Sequence, residues 1–318
     1  MNGIKTNSHK PPNLFTNQLR DLAHIIVDFF ILMGYVVFYI GETIFKTIFP
    51  AQLKSVENEI VLITGAGHGI GKELALLYAS KGAKVVCWDI NSETNSQTAK
   101  EIEALGYAKA SAYMCDISNR KDVTNTAKRV IEEVGDVTII INNAGIMPTH
   151  TLEEHTETEI DRIMKINVYA HFWIIQEFLP GMKKLNHGHI VALSSMAGLI
   201  GLRNLVPYCA SKFAVRGLME ALKEELRQEN YNIMTTTVYP YMVNTGLCKK
   251  PFIKFPSLMP LLEPKDVAQC IMSAQRRDVF HVTIPDYLLF LNNYVRLLPV
   301  KAGLKLKDFI DSGVESDL

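Results

Sequence analysis

The stretch "EIVLITGAGHGIG", residues 59–71, decides the fold. Residues 60–65 form a near-continuous apolar, β-branched run, the composition of a strand buried on both faces. Glycines follow at positions 65, 67, 69 and 71. A tight turn would explain a lone glycine-rich segment. Lying directly between a buried strand and a helical pattern, these glycines also let the backbone approach a pyrophosphate, whose charge the helix N-terminus stabilises.

Outward from this stretch, six further strand-like runs occupy residues 84–89, 111–116, 137–145, 189–195, 234–240 and 281–285. Helical patterns lie between them, among others at 71–80, 122–133, 157–179 and 210–229. Regular alternation of buried strands with helices implies right-handed crossovers, hence an α/β fold with a doubly wound, parallel, seven-stranded sheet. Asp89 ends the second strand, where a carboxylate can accept hydrogen bonds from an adenosine ribose and would repel a 2'-phosphate. NAD, rather than its phosphorylated form, is therefore the expected cofactor.

The chain has 318 residues, 48% of them apolar, enough for one large domain with appendages. Basic and acidic residues number 33 each, so charge gives no case for a nucleic-acid partner. Five scattered cysteines (Cys87, Cys115, Cys209, Cys248, Cys270) support neither a disulfide framework nor a zinc site, and no metal is expected.

Residues 1–20 are polar; residues 21–50 are strongly apolar. His24, Asp28, Glu42 and Lys46 interrupt the apolar segment, and its longest uncharged stretch, 29–41, is shorter than the ~20 residues of a simple span. An interfacial or hairpin-like anchor therefore competes with a tilted span. The long polar lead and the lack of a small-residue cleavage site argue against a removed signal peptide. The expected organisation is a polar tail (1–20), a membrane or lipid-droplet anchor (21–50), a dinucleotide-binding domain (57–286) and a C-terminal amphipathic helix with a tail (287–318).

Tyr208 and Lys212 stand four apart at the start of a predicted helix and share a face. Oxidising an alcohol requires a base for the hydroxyl proton as hydride leaves. A free tyrosine with a pKa of ~10 is a poor base near neutrality, and a neighbouring ammonium together with an oxidised nicotinamide would lower that pKa. Just upstream, Ser194 and Ser195 end a strand. Successive strand residues point to opposite faces, so one serine at most aims at the cleft.

These motifs resemble the short-chain dehydrogenase/reductase family, and the glycine spacing 65, 69, 71 resembles its nucleotide motif. The resemblance implies a Rossmann-type fold with cofactor contacts from Gly65, His68, Gly69, Ile70, Gly71 and Asp89. Further contacts are implied from Asp116 and Ile117, from Asn143, Ala144 and Gly145 in "NNAG", and from Pro240, Val243 and Thr245. It also implies that Tyr208 is the acid/base and that Lys212 holds the nicotinamide ribose. Asn167 would position a relay water. The family's serine lies thirteen residues before its tyrosine, which selects Ser195 to orient the substrate oxygen and leaves Ser194 to pack. Tyr241 departs from the pattern, standing where the family has a glycine.

"WDIN", "GDVTIIINNAGI", "AHFW" and "YCASKFA" are similar to one branch, that of the epidermal retinol dehydrogenases and lipid-droplet 17-beta-hydroxysteroid dehydrogenases. This implies a retinoid or steroid substrate, a homodimer paired through the helices of Asn167 and Tyr208, and an endoplasmic-reticulum or lipid-droplet surface with the catalytic domain in the cytosol. The alternative class is a noncatalytic lipid-surface protein. Residues 246–263 are expected to form a substrate lid; its Phe252, Ile253, Phe255, Leu258, Met259, Leu261 and Leu262 face an apolar ligand or pack on the sheet. The run "YLLFLNNYVRLL", residues 287–298, is equally open between lipid, partner and core.

Overall fold

The computed structural model describes residues 14–49, 52–107 and 110–317. The chain divides into two units, residues 1–52 and 53–318. In the first, a single helix α1 (Leu14–Ile48) runs through the apolar segment without a hairpin. Within it, residues Arg20–Phe45 are long and apolar enough to cross a membrane by length and composition, and none of that stretch is buried. The expected polar tail at 1–20 lies largely outside the described residues.

The second unit is built on a parallel sheet of seven strands: β1 (Ile60–Thr64), β2 (Lys84–Asp89), β3 (Ala110–Met114), β4 (Ile139–Asn142), β5 (Gly188–Leu193), β6 (Ile233–Pro240) and β8 (His281–Ile284). Their order is β3-β2-β1-β4-β5-β6-β8, as the doubly wound reading requires. A short strand β7 (Pro251–Ile253) lies outside the sheet. Alternate β1 residues supply the two cores. Val61 and Ile63 pack with Leu74, Tyr78 and Ile271 under α2 (Gly69–Ala79) and α8 (Pro264–Arg276). Leu62 packs with Val123, Ile174 and Met219 under α4 (Arg120–Glu133), α6 (Ala170–Leu185) and α7 (Val206–Gln228). Between β1 and β4 the strand order reverses, and the carboxyl ends of these two strands open the crevice where such sheets hold ligands.

Several boundaries differ from the sequence reading for identifiable reasons. The fourth strand stops at Asn142 because the N–H groups of Asn143 and Ala144 donate to the Thr64 hydroxyl at 3.0 and 3.1 Å, out of the strand ladder. The expected helix at 157–179 is interrupted: α5 (Glu157–Met164) passes into one π turn, Lys165–Tyr169, before α6. Helix α3 (Ser92–Ala104) shows little apolar periodicity, since its buried face includes Asn95 and Thr98. Asn95 earns that place by donating to the Cys87 and Tyr113 carbonyls, tying α3 to β2 and β3.

The C-terminal region also exceeds the expected single helix. Helices α9 (Tyr287–Arg296) and α10 (Val300–Ile310) lead into a strand β9 (Ser312–Val314), which pairs antiparallel with β7.

Among the described glycines Gly71 has the tightest surroundings, since a Cβ there would collide with the Gly65 carbonyl oxygen. Gly71→Ala should lower unfolding free energy by about 1–3 kcal/mol, the usual range for forced overpacking. Thermal unfolding of the two proteins checks this.

Candidate active site

The glycine loop and its helix form one end of the site. Gly65 and Gly69 have positive φ values of 67° and 57°, a region where side chains are strained. Helices α3, α4 and α5 start with side-chain caps from Asn91, Asn119 and Thr156. Helix α2 has no such cap: His68, the residue before it, is extended and makes no capping bond. The first N–H groups of α2 are thus left to an outside acceptor.

Asp89 is buried at the end of β2, its Oδ2 accepting from the Gly67 N–H and its Oδ1 from the Asn91 N–H, both at 2.9 Å. The carboxylate is therefore held against the glycine loop, in the cleft wall. An uncapped helix end beside a fixed carboxylate suits a pyrophosphate and a ribose respectively, so these residues fit an adenine dinucleotide.

All but two of the sequence-selected residues line one cavity of about 530 Å³. Gly71 and Asn167 stand behind its wall. Asn143 secures the loop, its Nδ2 donating to the Thr64 carbonyl at 2.8 Å. Asp116 is engaged locally, its Oδ1 accepting from the Ser118 N–H and hydroxyl, while Ile117 lines the cleft. Thr245 lies against the glycine loop, its methyl 3.1 Å from where a Gly69 Cβ would stand. Pro240 ends β6, and Val243 bridges to Leu262.

The reactive end converges from three elements. Ser195 follows β5 and caps a short 3₁₀ turn, its hydroxyl accepting from the Ala197 N–H at 3.2 Å and bonding to the Tyr208 phenol. Lys212, one turn after Tyr208 on α7, is buried, donates to the Leu193 carbonyl at 2.8 Å and lies 5.6 Å from the Tyr208 ring centre. Ser194 points the other way, its buried hydroxyl donating to the Lys212 carbonyl at 2.9 Å. The two serines thus separate as strand alternation requires.

Asn167, in the π turn, accepts from the Ile146 N–H and donates to the Ile146 carbonyl, both at 2.9 Å, and to the Ser211 hydroxyl at 3.1 Å. Both amide donors are engaged, so its side chain positions the loop after β4. His171, one turn later, went unmarked in the sequence. Burial, and then the Lys212 charge, pull its pKa to about 3, keeping it neutral.

Burial pushes the Tyr208 phenol up to about 12, opposed by the Ser195 hydrogen bond. The protein alone therefore keeps Tyr208 protonated, a proton donor for carbonyl reduction. Burial also brings Lys212 down to about 8.

The rest of the cavity is apolar. Leu205, Met242, Met259, Leu291, Val295 and Ile310 contribute to its wall. Of the seven apolar lid residues, only Met259 reaches it. Phe255 stacks near Phe309, with ring centres 5.4 Å apart, and Leu262 packs on the sheet core. The lid lysines bind the C-terminal region: Lys254 donates to the Phe309 carbonyl and Lys250 to that of Ser316. Helix α9 divides its faces, with Leu288, Leu291 and Val295 on the cavity and Phe290 and Tyr294 exposed.

Residues 59–253 match the family described as short chain dehydrogenase. The chain belongs to this family. It is an oxidoreductase of the branch suggested by its motifs. It is 40% identical over 283 residues to human estradiol 17-beta-dehydrogenase 11, covering 89% of this chain and 93% of that one. Human epidermal retinol dehydrogenase 2 is 39% identical over 282 residues, covering 88% and 91%. A solved short chain dehydrogenase/reductase from Burkholderia phymatum, in complex with NAD, superposes with a TM-score of 0.69 at 26% identity, covering 75% of this chain and 93% of that one.

Two predictions follow from the geometry of the reactive end. Ser195→Ala should lower kcat by ~10²–10³-fold, as expected for removing one hydrogen bond to the reacting oxygen. Ser194→Ala should leave kcat within a few fold and lower stability by about 0.5–1.5 kcal/mol, the usual share of one hydrogen bond. Steady-state rates and denaturant titrations on both variants separate these effects.

The second concerns pH. Lys212 loses its proton near 8 rather than near the ordinary lysine value of ~10.4. Its ammonium is present below that point and lost above it. NAD affinity should therefore weaken as pH rises through about 8, and Lys212→Met should bind weakly with a flatter profile. Equilibrium titration of the free protein across that range checks the sign.

Proposed function

We propose that this oxidoreductase uses NAD to interconvert a lipophilic alcohol and its carbonyl at a lipid surface, with retinol and retinal as the first pair. The observation carrying this reading is the shape of the cavity: apolar walls from the β6 loop, α9 and α10 close on one polar end, formed by Ser195, Tyr208 and Lys212. Such a site holds an extended hydrocarbon and orients its one oxygen. The Ser195 hydroxyl would bond that oxygen, Tyr208 would exchange the proton, and Lys212 would donate to the nicotinamide ribose. Bound NAD would supply the hydride acceptor and a positive ring.

Asp89 favours NAD because a 2'-phosphate would bring a second negative charge to a buried carboxylate. The human epidermal retinol dehydrogenase 2 supports the retinoid reading. A 17-beta-hydroxysteroid is the runner-up, supported by the estradiol dehydrogenase of similar identity.

The apolar helix α1 and the absence of any disulfide among the described residues support an endoplasmic-reticulum or lipid-droplet membrane with the catalytic unit in the cytosol. Exposed Tyr169, Phe172 and Phe213, on the π turn, α6 and α7, support a homodimer through these helices.

The test incubates full-length protein in lipid vesicles with retinol, estradiol or a long-chain primary alcohol, and with NAD or NADP. Retinol with NAD should be fastest, and Tyr208→Phe should lose at least ~10²-fold in kcat while NAD binding stays intact. Faster estradiol turnover selects the steroid reading, and equal rates with NADP overturn the role of Asp89. Inactivity on all three alcohols favours a noncatalytic lipid-surface protein.

A further inference from the structure

A second cluster of side chains sits outside the cofactor cavity. The loop after β4 and the first turn of α5 bring His150, His155 and Glu159 together, with one ligating atom of each within 4.8 Å of the others. His150 Nε2 is 3.1 Å from Glu159 Oε1, and His155 Nδ1 is 3.9 Å from Glu159 Oε2. The two imidazole rings have centres 4.4 Å apart. Donors around a tetrahedral zinc ion at about 2.0–2.2 Å lie roughly 3.3–3.6 Å from one another. The His150 Nε2–Glu159 Oε1 separation is close to that spacing, and the three donors lie within 4.8 Å of one another.

Part of the cluster has an ordinary explanation. Glu159 completes a capping box, its Oε2 accepting from the Thr156 N–H at 2.9 Å and the Thr156 hydroxyl at 3.1 Å. His155 has no such explanation. It is 8% exposed, its side chain is fully enclosed, and neither ring nitrogen has a hydrogen-bond partner. Buried imidazoles normally satisfy their nitrogens.

His150 carries a second sign of a metal ligand. Asp317 Oδ1 lies 2.9 Å from its Nδ1 and accepts the Thr149 N–H at 3.1 Å. The contact is one of charge and not an aligned hydrogen bond; a carboxylate at that distance still favours the proton on Nδ1, which leaves Nε2 as the nitrogen with a lone pair to offer.

We propose that His150 Nε2, His155 Nδ1 and Glu159 Oε1 hold a zinc-class divalent cation, with Asp317 orienting His150 and water completing the coordination shell. The mixed nitrogen and oxygen donors suit zinc. The site uses none of the five cysteines whose spacing gave no expectation of a metal. Its role is structural. The Asp317 N–H donates to the Thr149 carbonyl at 2.8 Å, and Asp317 Oδ2 is 3.2 Å from Lys249 Nζ in the lid segment. An ion on His150 would thus fasten both the C-terminal tail and the lid segment to the loop after β4.

The test uses full-length protein in detergent, stripped with a chelator and titrated calorimetrically with Zn²⁺ alone, then with Co²⁺ while its visible d–d absorption is followed. One equivalent should bind, with the band strength of tetrahedral cobalt. His155→Ala should abolish binding, and Asp317→Asn should weaken it by ~10–100-fold. Zinc should slow proteolysis of the C-terminal tail in the unsubstituted protein and not in His155→Ala. His187→Ala, at an exposed histidine paired with Glu59, should bind as before.

Circular dichroism verifies that each variant folds. Asp317→Asn, which leaves the α5 cap untouched, keeps the test decisive if the others unfold. No zinc binding by the unsubstituted protein overturns the proposal. So does undiminished affinity in folded His155→Ala or Asp317→Asn, or loss of binding in His187→Ala alone.

Discussion

The site depends on one exchange between neighbouring strands. Thr64, the last residue of β1, accepts through its hydroxyl the N–H groups of Asn143 and Ala144, while Asn143 returns its amide to the Thr64 carbonyl. These bonds replace the strand ladder where the sheet order reverses. Without them the ends of β1 and β4 would have to splay or continue pairing, and the crevice between them would lose its shape. Gly71 is held to the same spot, since a side chain there would meet both the Gly65 carbonyl and the Asn143 amide. The glycine loop, the fourth strand and the entry of α2 are therefore one unit.

The reactive end is electrostatically costly, and its bonds show how it is held. A lysine buried at the carboxyl end of β5 loses hydration, which lowers its proton affinity. The Leu193 carbonyl replaces part of that hydration. The same burial acts oppositely on Tyr208, favouring its neutral phenol.

Most of the cofactor cleft was legible because its chemistry is local. Glycines after a buried strand, Asp89 at a strand end and Tyr208 one helical turn before Lys212 each express a constraint within a few residues. Strand alternation separates Ser194 from Ser195 for the same reason. What escaped the sequence is nonlocal. The π turn at Asn167 follows from bonds to Ile146, twenty-one positions away in sequence. Helix α3 hides because polar Asn95 and Thr98 occupy its inner face. The elevation of the Tyr208 pKa comes from packing that no spacing reveals.

The lid illustrates the same limit from the other side. Its phenylalanines and lysines read as a surface for an apolar ligand, yet most are engaged by the chain's last residues. Strand β9 pairs with β7, Lys254 reaches the Phe309 carbonyl from between two aromatic rings, and the Glu315 N–H donates to the Lys250 carbonyl at 3.0 Å. The lid cannot swing away while those contacts hold, because three of its lysines and its one strand are tied to residues 309–317. Helices α9 and α10 line the cavity and lead directly into that tail. A movement of residues 246–263 would therefore take one of two forms: the segment and the tail rise together, or the β7–β9 pair separates. The first preserves the strand pair but breaks the tail's bonds to the body, those between Asp317 and Thr149 and from the Asn204 amide to the Val314 carbonyl; the second gives up the pair and leaves the tail in place.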